Sequence, residues 1–492
     1  MTTKRATVIG SGFAGLSAAA FLSKAGYQVT VLEKNEQLGG RARQLYQNGF
    51  KFDMGPSWYW MPDVFDRYFS QFGKKTSDYY QLKRLDPSYS VVFGKDDCLE
   101  IPANYSDLRQ CFEDLESGSA TKLDKFLEEA EFKYKIGIND LVYKPARSIM
   151  EFLDVKLLIN MIRMDVFRSF QSHINKYFQN KRIHQLLEFP ILFLGALAKN
   201  TPALYSLMNY ADIKLGTWYP NGGMKSVIDG MVHLAKEKGV SFKTSCEVKS
   251  FEYRGKEITA VNTQSERIET DVVVAGADYH HVETQILDFK FRTYSDKYWN
   301  SRLMAPSSLL FYLGFNRKII GLNHHTLFFD EPFGPHAEAI YETKEWPSNP
   351  LFYVNVPSKT DTTVAPDGYE NMVVLIPVAA GIEDTEEIRE KYFNIIFDRF
   401  ENYLEEDIRK YIIFKKSYAH KDFKSDYHAF KGNAYGLANT LKQTAILKPS
   451  IKSKKLKNLY YTGQLTVPGP GVPPSLISGE VVANEIIHDF PL

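Results

Sequence analysis

Residues 6–33 read ATVIGSGFAGLSAAAFLSKAGYQVTVLE, and this stretch decides the fold. ATVIG is an apolar run typical of a buried strand, and YQVTVLE is typical of a second one. Between them AGLSAAAFLSKAG predicts a helix rich in small residues that ends at Gly26. Strand, glycine turn, helix and strand in this order form a parallel βαβ unit, so we expect an α/β protein.

The turn GSGFAG fits the dinucleotide-binding pattern GxGxxG, and it has the required setting between a strand and a helix. Gly10 permits the tight turn, Gly12 lets a pyrophosphate approach the backbone, and Gly15 lets helix and strand pack closely. The helix N-terminus offers free N–H groups and a partial positive charge to phosphates. The predicted binding residues of this turn are Gly10, Ser11, Gly12, Phe13, Ala14 and Gly15.

The residues after the second strand distinguish between dinucleotides. Glu33 ends that strand, where a carboxylate can accept both ribose hydroxyls and would repel the 2′-phosphate of NADP. Lys34 follows it, and then LGGRAR supplies a second glycine pair and Arg41. Gly40 exposes backbone N–H groups and Arg41 adds a second clamp on a pyrophosphate. NAD proteins have no common need for this extension, so we predict FAD.

The composition excludes several other classes of protein. A formal net charge of +1 gives no global field for nucleic acid. The three cysteines form no CxxC pair and, being odd in number, suggest no disulfide framework, so we expect a reducing cytoplasm. The first strand begins about five residues into the chain, which leaves no room for a signal peptide. The adjacent pairs His280–His281 and His324–His325 lack metal-ligand spacing, and we expect no metal.

Four segments together resemble the bacterial carotenoid desaturases of the phytoene desaturase type, which are amine-oxidase-like flavoproteins. They are GSGFAG with LGGRAR, FDMGPSWYW (52–60), LGTWYPNGGMKSVIDGM (215–231) and YYTGQLTVPGPGVPPSLISG (460–479), and they span nearly the whole chain. The resemblance implies non-covalent FAD, and a long polyene in an apolar tunnel as the substrate. One departure is Gln464, because many flavoproteins of the wider superfamily carry an acid there.

The resemblance also implies further cofactor contacts. Gly463 and Gln464 are expected near the ribityl-pyrophosphate arm, Val472 to Ser475 beside the isoalloxazine, and Val248 with its backbone at the adenine. The cofactor residues predicted beyond the glycine turn are Glu33, Lys34, Gly40, Arg41, Gly55, Pro56, Ser57, Val248, Gly463, Gln464, Val472, Pro473 and Ser475.

Bulky residues after the flavin segment are candidates for a slot around a flat apolar chain. The residues predicted to meet the substrate are Trp58, Tyr59, Trp60, Met61, Trp218 and Asn355. Ordinary packing explains the aromatic run equally well. Asn355 lies in the otherwise apolar strand LFYVNV, where it either meets a substrate hydroxyl or is a wall residue with satisfied hydrogen bonds.

Desaturation removes two hydrogens from adjacent carbons, and flavin N5 can take one as hydride. Two activities fit the resemblance: desaturation of phytoene, and 3,4-desaturation of a 1′-hydroxycarotenoid. The alternatives are a flavin amine oxidase, against which VPGPGVPPS argues, and a non-enzymatic prenyl-binding protein of the same fold, against which the intact glycines and Arg41 argue. A second nucleotide-binding turn is missing from the sequence, so an external acceptor such as oxygen or a quinone is expected in place of a nicotinamide.

The expected fold is α/β, with a discontinuous Rossmann-like FAD-binding domain and an inserted α+β substrate domain made of an antiparallel sheet and a helical lid. The FAD-binding domain is expected at 1–85, 219–290 and 451–492, and the substrate domain at 86–218 and 291–450. Separate β-like runs such as SLLFYLGF and MVVLIPV predict the sheet, and mostly helical patterns over about 106–210 predict the lid. In the FAD-binding domain, SFKTSCEVKSFEY (241–253) predicts a strand.

Apolar residues between Arg147 and Arg182 alternate with basic ones, a pattern typical of a helix that lies on an anionic membrane or of a solvated face over a core. We favour peripheral attachment to the inner face of the cell membrane, since carotenoids reside in bilayers. The longest nearly apolar run, Phe189 to Ala198, is too short to cross one.

We predict that the protein co-floats with liposomes, more with anionic lipid and less at high salt, because screening weakens the attraction of the basic residues. Neutral liposomes at the same lipid concentration are the control in a flotation assay. Absence of flotation with either lipid would contradict membrane attachment, and flotation that ignores lipid charge and salt would leave only its hydrophobic part.

Overall fold

The computed structural model describes residues 3–152, 168–192 and 197–492. A five-stranded parallel sheet gathers strands from three separate parts of the chain. Its order is Leu459–Tyr461, Val272–Ala275, Arg5–Ile9, Gln28–Leu32 and Ser241–Lys243. Val272–Ala275 is buried throughout, as expected for a parallel strand with both faces covered.

A seven-stranded sheet forms the second layer. Its order is Ile412–Tyr418, Ser307–Phe315, Glu370–Val378, Phe352–Asn355, His325–Phe328, Tyr89–Gly94 and Asp97–Ile101. Neighbouring strands run antiparallel as predicted, except that His325–Phe328 and Tyr89–Gly94 run parallel. That exception arises because Tyr89–Gly94 comes from a distant part of the chain, so no hairpin sets its direction.

The two faces of the seven-stranded sheet have different partners. Phe311 and Val374 on one face pack against the helix Glu386–Leu404. Leu310 and Leu375 on the other face line a large cavity. This alternation follows from the two-residue period of a strand.

Smaller sheets and the helices complete the described structure. The remaining strands are Val248–Arg254, Glu257–Thr263 and Arg267–Glu269 in one sheet, Gln44–Gln47 with Phe50–Asp53, and Leu82–Arg84 with Trp218–Pro220. The α-helices are Phe13–Lys24, Pro62–Ser70, Tyr105–Leu115, Ser119–Ile136, Phe170–Asn175, Lys181–Leu192, Leu207–Tyr210, Met224–Glu237, Tyr279–His281, Asp296–Asn300, Phe333–Glu338, Glu386–Leu404, His420–Tyr427 and Val472–Asp489.

One predicted strand is divided in the structure. SFKTSCEVKSFEY forms Ser241–Lys243 in the parallel sheet and Val248–Arg254 in a different sheet. Ser245 between them has φ +50°, in the left-handed region that ends an extended run. The sequence carries no glycine or proline at this break.

The stretch proposed to touch a membrane is described only in part, since 153–167 lie outside the described residues. Some of its basic side chains have partners within the chain: Arg147 pairs with Glu485 at 2.5 Å, and Lys176 with Glu129 at 3.1 Å. The side chains of these pairs are partly exposed to solvent, so the pairs hold them weakly. Within the described ranges, no helix combines the length and the apolar character needed to cross a bilayer.

The first and last long helices touch through their backbones. A Cβ at Gly479 would lie 2.3 Å from the carbonyl oxygen of Ala14 and 2.6 Å from Cβ of Ser17. Only glycine therefore permits this approach between Phe13–Lys24 and Val472–Asp489.

We predict that Gly479→Ala lowers the free energy of unfolding by ~1–3 kcal/mol, the usual cost of overpacking, although alanine is the better helix former. Gly334→Ala is the matched control, because its added Cβ meets nothing within 4 Å. Urea unfolding followed by circular dichroism measures both variants. Equal midpoints for the two would show that the helices separate without cost.

Candidate active site

A cavity of about 400 Å³ opens where the first βαβ unit meets the inner face of the seven-stranded sheet. It brings together residues from all three parts of the chain that build the parallel sheet. The cavity is lined by every predicted cofactor residue: Gly10, Ser11, Gly12, Phe13, Ala14, Gly15, Glu33, Lys34, Gly40, Arg41, Gly55, Pro56, Ser57, Val248, Gly463, Gln464, Val472, Pro473 and Ser475.

The glycine turn leaves an open helix N-terminus at this cavity. Gly12 precedes the helix with φ −71° and ψ 175°, has no side-chain cap, and the first turn carries no acidic residue. A Cβ at Gly12 would meet nothing within 4 Å, whereas a Cβ at Gly15 would lie 2.0 Å from the oxygen of Gly10. Gly15 therefore serves packing within the protein, and Gly12 keeps space free for a ligand.

The Glu33 carboxylate is held at the edge of the cavity. One oxygen accepts hydrogen bonds from the backbone N–H of Ser11 at 3.0 Å and from its hydroxyl at 2.6 Å, and the other accepts from the N–H of Asn35 at 2.9 Å. The side-chain amide of Asn35 also donates to this second oxygen at 3.1 Å, so the carboxylate already uses the about four lone-pair positions that it offers. A ribose hydroxyl would therefore take the place of one of these donors.

Arg41 places a buried positive charge beside the glycine turn. Burial lowers the pKa of its guanidinium, and Nε has no hydrogen-bond partner among the described residues. With its amide oxygen turned toward this cation, Gln464 accepts from Nη2 at 2.9 Å. The hydrogen-bond partners of Arg41 are neutral, and the charge of Asp278 acts on the guanidinium without a direct ion pair among the described residues. An anionic ligand would give this cation a direct partner.

The other end of the cavity is apolar and aromatic. Trp58, Trp60 and Met61 line it as predicted, together with Leu310 and Leu375 of the sheet. Trp58 also stacks on His325, with ring centroids 4.1 Å apart and planes 12° apart. This end suits a hydrocarbon.

Comparison with known proteins identifies the family of this chain. The model of the family described as flavin containing amine oxidoreductase matches residues 13–487. A carotenoid 3,4-desaturase of Haloarcula japonica is 40% identical over 485 residues, covering 98% of each chain. A 4,4′-diapophytoene desaturase of Staphylococcus aureus is 30% identical, also covering 98% of each. An oxidoreductase of Methanosarcina mazei superposes with a TM-score of 0.63 at 15% identity, over 98% of this chain and 100% of that one.

The chain belongs to the flavin-containing amine oxidoreductase family. The resemblance to carotenoid desaturases is thereby confirmed, and so are FAD as the cofactor, the oxidoreductase class and the α/β FAD-binding fold. The residues present also fit FAD. The free space beside Gly12 can hold a pyrophosphate, and Arg41 offers a positive charge to it. Glu33 lies where a ribose is expected.

Three residues predicted to meet the substrate do not line the cavity. Tyr59 points away from its neighbours, as alternate side chains in an extended segment do, and its hydroxyl pairs with that of Tyr80 at 2.9 Å. Trp218 donates its indole N–H to the oxygen of Leu215 at 2.9 Å. These two residues therefore belong to the surrounding packing.

Asn355 is the third of these residues. It faces the same side of its strand as Tyr353 but lies two residues further on, beyond the end of the cavity. Its amide donates to the backbone oxygen of His324 at 3.2 Å. It is therefore a wall residue with satisfied hydrogen bonds.

Sequence reasoning missed several residues that line the cavity. Tyr353 is the most informative of them. Alternate residues of a strand face the same side, so the sequence already placed Tyr353 on the same face as Asn355. Glu247, His281 and His428 also meet there, with ligand atoms within 4.8 Å of one another. No spacing rule finds them, because they come from three separate parts of the chain.

His281, one of these two histidines, is uncharged at neutral pH. Burial, together with the charges of His428 and Lys34, lowers the pKa of His281 to about 4. The rings of His281 and His428 stack 3.9 Å apart, and His428 Nε2 lies 2.8 Å from Glu247. The flat pair borders the part of the cavity that Val248 lines.

We predict that Gly12→Val yields a folded protein without FAD. Valine adopts the φ and ψ of Gly12 readily and its Cβ meets no protein atom, so only the pyrophosphate is displaced. Flavin absorbance per protein and the thermal melting curve are measured together. Gly15→Val is the control, since it collides with Gly10 and should lose the fold as well. Normal flavin content in Gly12→Val would show that the pyrophosphate does not bind beside Gly12.

Proposed function

We propose that this protein is an FAD-dependent carotenoid desaturase that introduces double bonds into a long polyene. The observation that carries the proposal is one continuous cavity with two ends of opposite character. Glycine turns, Glu33 and Arg41 suit a dinucleotide at one end, and Trp58 and Trp60 suit a hydrocarbon at the other. Relatives named as carotenoid desaturases match over 98% of this chain.

FAD, when bound, supplies the hydride acceptor. The protein positions the cofactor and the substrate and excludes water from the site. Gly12 and Arg41 hold the pyrophosphate, and Glu33 holds the ribose. Aromatic and aliphatic side chains exclude water and align the polyene with the end of the cavity that Val472 lines.

Of the two activities, we favour 3,4-desaturation. The relative named as a carotenoid 3,4-desaturase is 40% identical, against 30% for the diapophytoene desaturase and 29% for the phytoene desaturase of Myxococcus xanthus. Stepwise desaturation of phytoene is the second candidate, since the aromatic end of the cavity suits the apolar chain of either substrate.

We assign the seven-stranded sheet to an inserted substrate domain. Its strands all fall within 86–218 and 291–450, and the parallel strands all fall within 1–85, 219–290 and 451–492. The pair Leu82–Arg84 with Trp218–Pro220 lies at two of the proposed boundaries, where it ties the units together. The helices Tyr105–Leu115, Ser119–Ile136 and Lys181–Leu192 supply the lid.

We place the enzyme on the inner face of the cell membrane, where its carotenoid dissolves. Attachment through the basic stretch from Arg147 to Arg182 gives the polyene a direct path from lipid to cavity. Oxygen or a membrane quinone serves as the external electron acceptor, and a quinone would share the same lipid phase.

We predict that, without oxygen or nicotinamide, one equivalent of polyene bleaches the flavin band and gains one double bond. Enzyme with oxidised FAD is mixed with phytoene, or separately with a 1′-hydroxycarotenoid. Stopped-flow absorbance and product analysis measure the turnover, and the faster substrate identifies the activity. Putrescine is the control for amine oxidation. Chemistry that starts only after NAD is added would overturn the proposal.

A further inference from the structure

A chain of polar groups interrupts the apolar wall of the cavity. The hydroxyl of Tyr353, which lines the cavity, lies 2.9 Å from the Ser57 hydroxyl and 2.6 Å from Nδ1 of His325. His325 itself does not line the cavity and is completely buried behind Tyr353. Tyr353 is therefore the link between the cavity and a buried imidazole.

The direction of these hydrogen bonds follows from Asn355. Its Nδ2 lies 3.2 Å from the backbone oxygen of His324 and 3.3 Å from Nδ1 of His325. A carbonyl oxygen only accepts, so the amide nitrogen must face it, and the same nitrogen then offers its second hydrogen to Nδ1. This arrangement favours Nδ1 as the acceptor, which assigns the hydrogen of the His325 ring to Nε2, a buried atom without a hydrogen-bond partner among the described residues.

Tyr353 consequently donates its phenolic hydrogen to His325. Its oxygen keeps its lone pairs for Ser57 and for the cavity. Burial, followed by the neighbouring His324, lowers the pKa of His325 well below its usual range, so the imidazole is neutral at rest. The cavity thus meets a phenolic oxygen backed by a neutral base.

We propose that Tyr353 is the proton acceptor of the desaturation, with His325 as the positioning residue that receives the phenolic hydrogen. This assignment rests on the proposed function. The carbon next to the one that loses hydride gives its proton to the Tyr353 oxygen, and the C–H electron pair becomes the new π bond. The phenolic hydrogen moves to Nδ1 of His325, which becomes an imidazolium. After product leaves, the shift reverses and water takes the proton.

A weak base is sufficient for this step. Loss of hydride from a polyene leaves a delocalised cation, and the adjacent C–H is then strongly acidic. The ionisable residues at the cavity other than its tyrosines are Glu33, Lys34, Arg41, Cys246, Glu247, Asp278, His281, Asp426 and His428. Lys34 and Arg41 interact with the carboxylates of this set, so these groups belong to the dinucleotide end.

The test compares Tyr353→Phe with Tyr59→Phe in anaerobic single turnover. Both lose one buried, hydrogen-bonded hydroxyl, but Tyr59 lies outside the cavity. We expect the new double bond to form about 100-fold or more slowly in Tyr353→Phe, within the range for a general base, with unchanged FAD content and polyene affinity. Tyr59→Phe should react at the wild-type rate. An unchanged rate in Tyr353→Phe would overturn the proposal.

His325→Phe keeps a ring against Trp58 but removes Nδ1. Because the two residues act as one unit, the double variant with Tyr353→Phe should be no slower than either single variant. A rate loss in the double variant equal to the product of the two single losses would show that His325 acts independently of Tyr353. That result would remove His325 from the proposal.

A second measurement needs no turnover. Ring ¹⁵N shifts of His325 in the cofactor-free protein should show Nε2 protonated and Nδ1 unprotonated, and Tyr353→Phe should shift Nδ1. A protonated Nδ1 would reverse the donor and overturn the proposal. If the wild-type enzyme reduces flavin with neither polyene, the proposed function itself fails, while the ¹⁵N result still decides the hydrogen-bond direction.

Discussion

The site depends on the backbone contact between the first and last helices. Gly479 lets the last helix approach the carbonyl oxygen of Ala14, and the hydroxyl of Ser478 pairs with Thr462 at 3.0 Å and accepts from the N–H of Gly463 at 3.0 Å. This contact fixes two helix N-termini at the same cavity, neither with a side-chain cap nor with an acid in its first turn. Their partial positive charges both favour negative charge on a ligand bound there.

Local signals in the sequence point to much of the polar end of the cavity. The glycine turn, Glu33 and the second glycine pair each act within a few residues of a strand end, so a pattern along the chain locates them. Gly463 and Val472, far away in sequence, were instead pointed out by the resemblance to carotenoid desaturases. All of these residues line one cavity, because parallel strands present their carboxyl ends at the same edge.

The apolar end was harder to predict, because its composition depends on which strands pair. Tyr353 opposes Leu375 in the sheet, and Asn355 opposes Val373, so a shift of two residues separates a cavity side chain from a wall side chain. The sequence shows the alternation but not where the cavity ends. The break at Ser245 was missed for a similar reason, since its left-handed backbone has no glycine to announce it.

The stacking of Trp58 on His325 bears on how a buried imidazole handles a proton. The two rings are nearly parallel at 4.1 Å, so the π face of Trp58 covers the imidazole. Desolvation disfavours the imidazolium, whereas a cation over an indole face gains ~0.5–2 kcal/mol. The second effect is too small to charge the ring at rest, and burial keeps it neutral. The interaction with Trp58 does lower the energy of a transient imidazolium. Because burial still favours the neutral ring, His325 then gives the proton back to Tyr353 readily. Trp58 therefore both lines the cavity and, through this stacking, stabilises the transient charge that the proposed step places on His325.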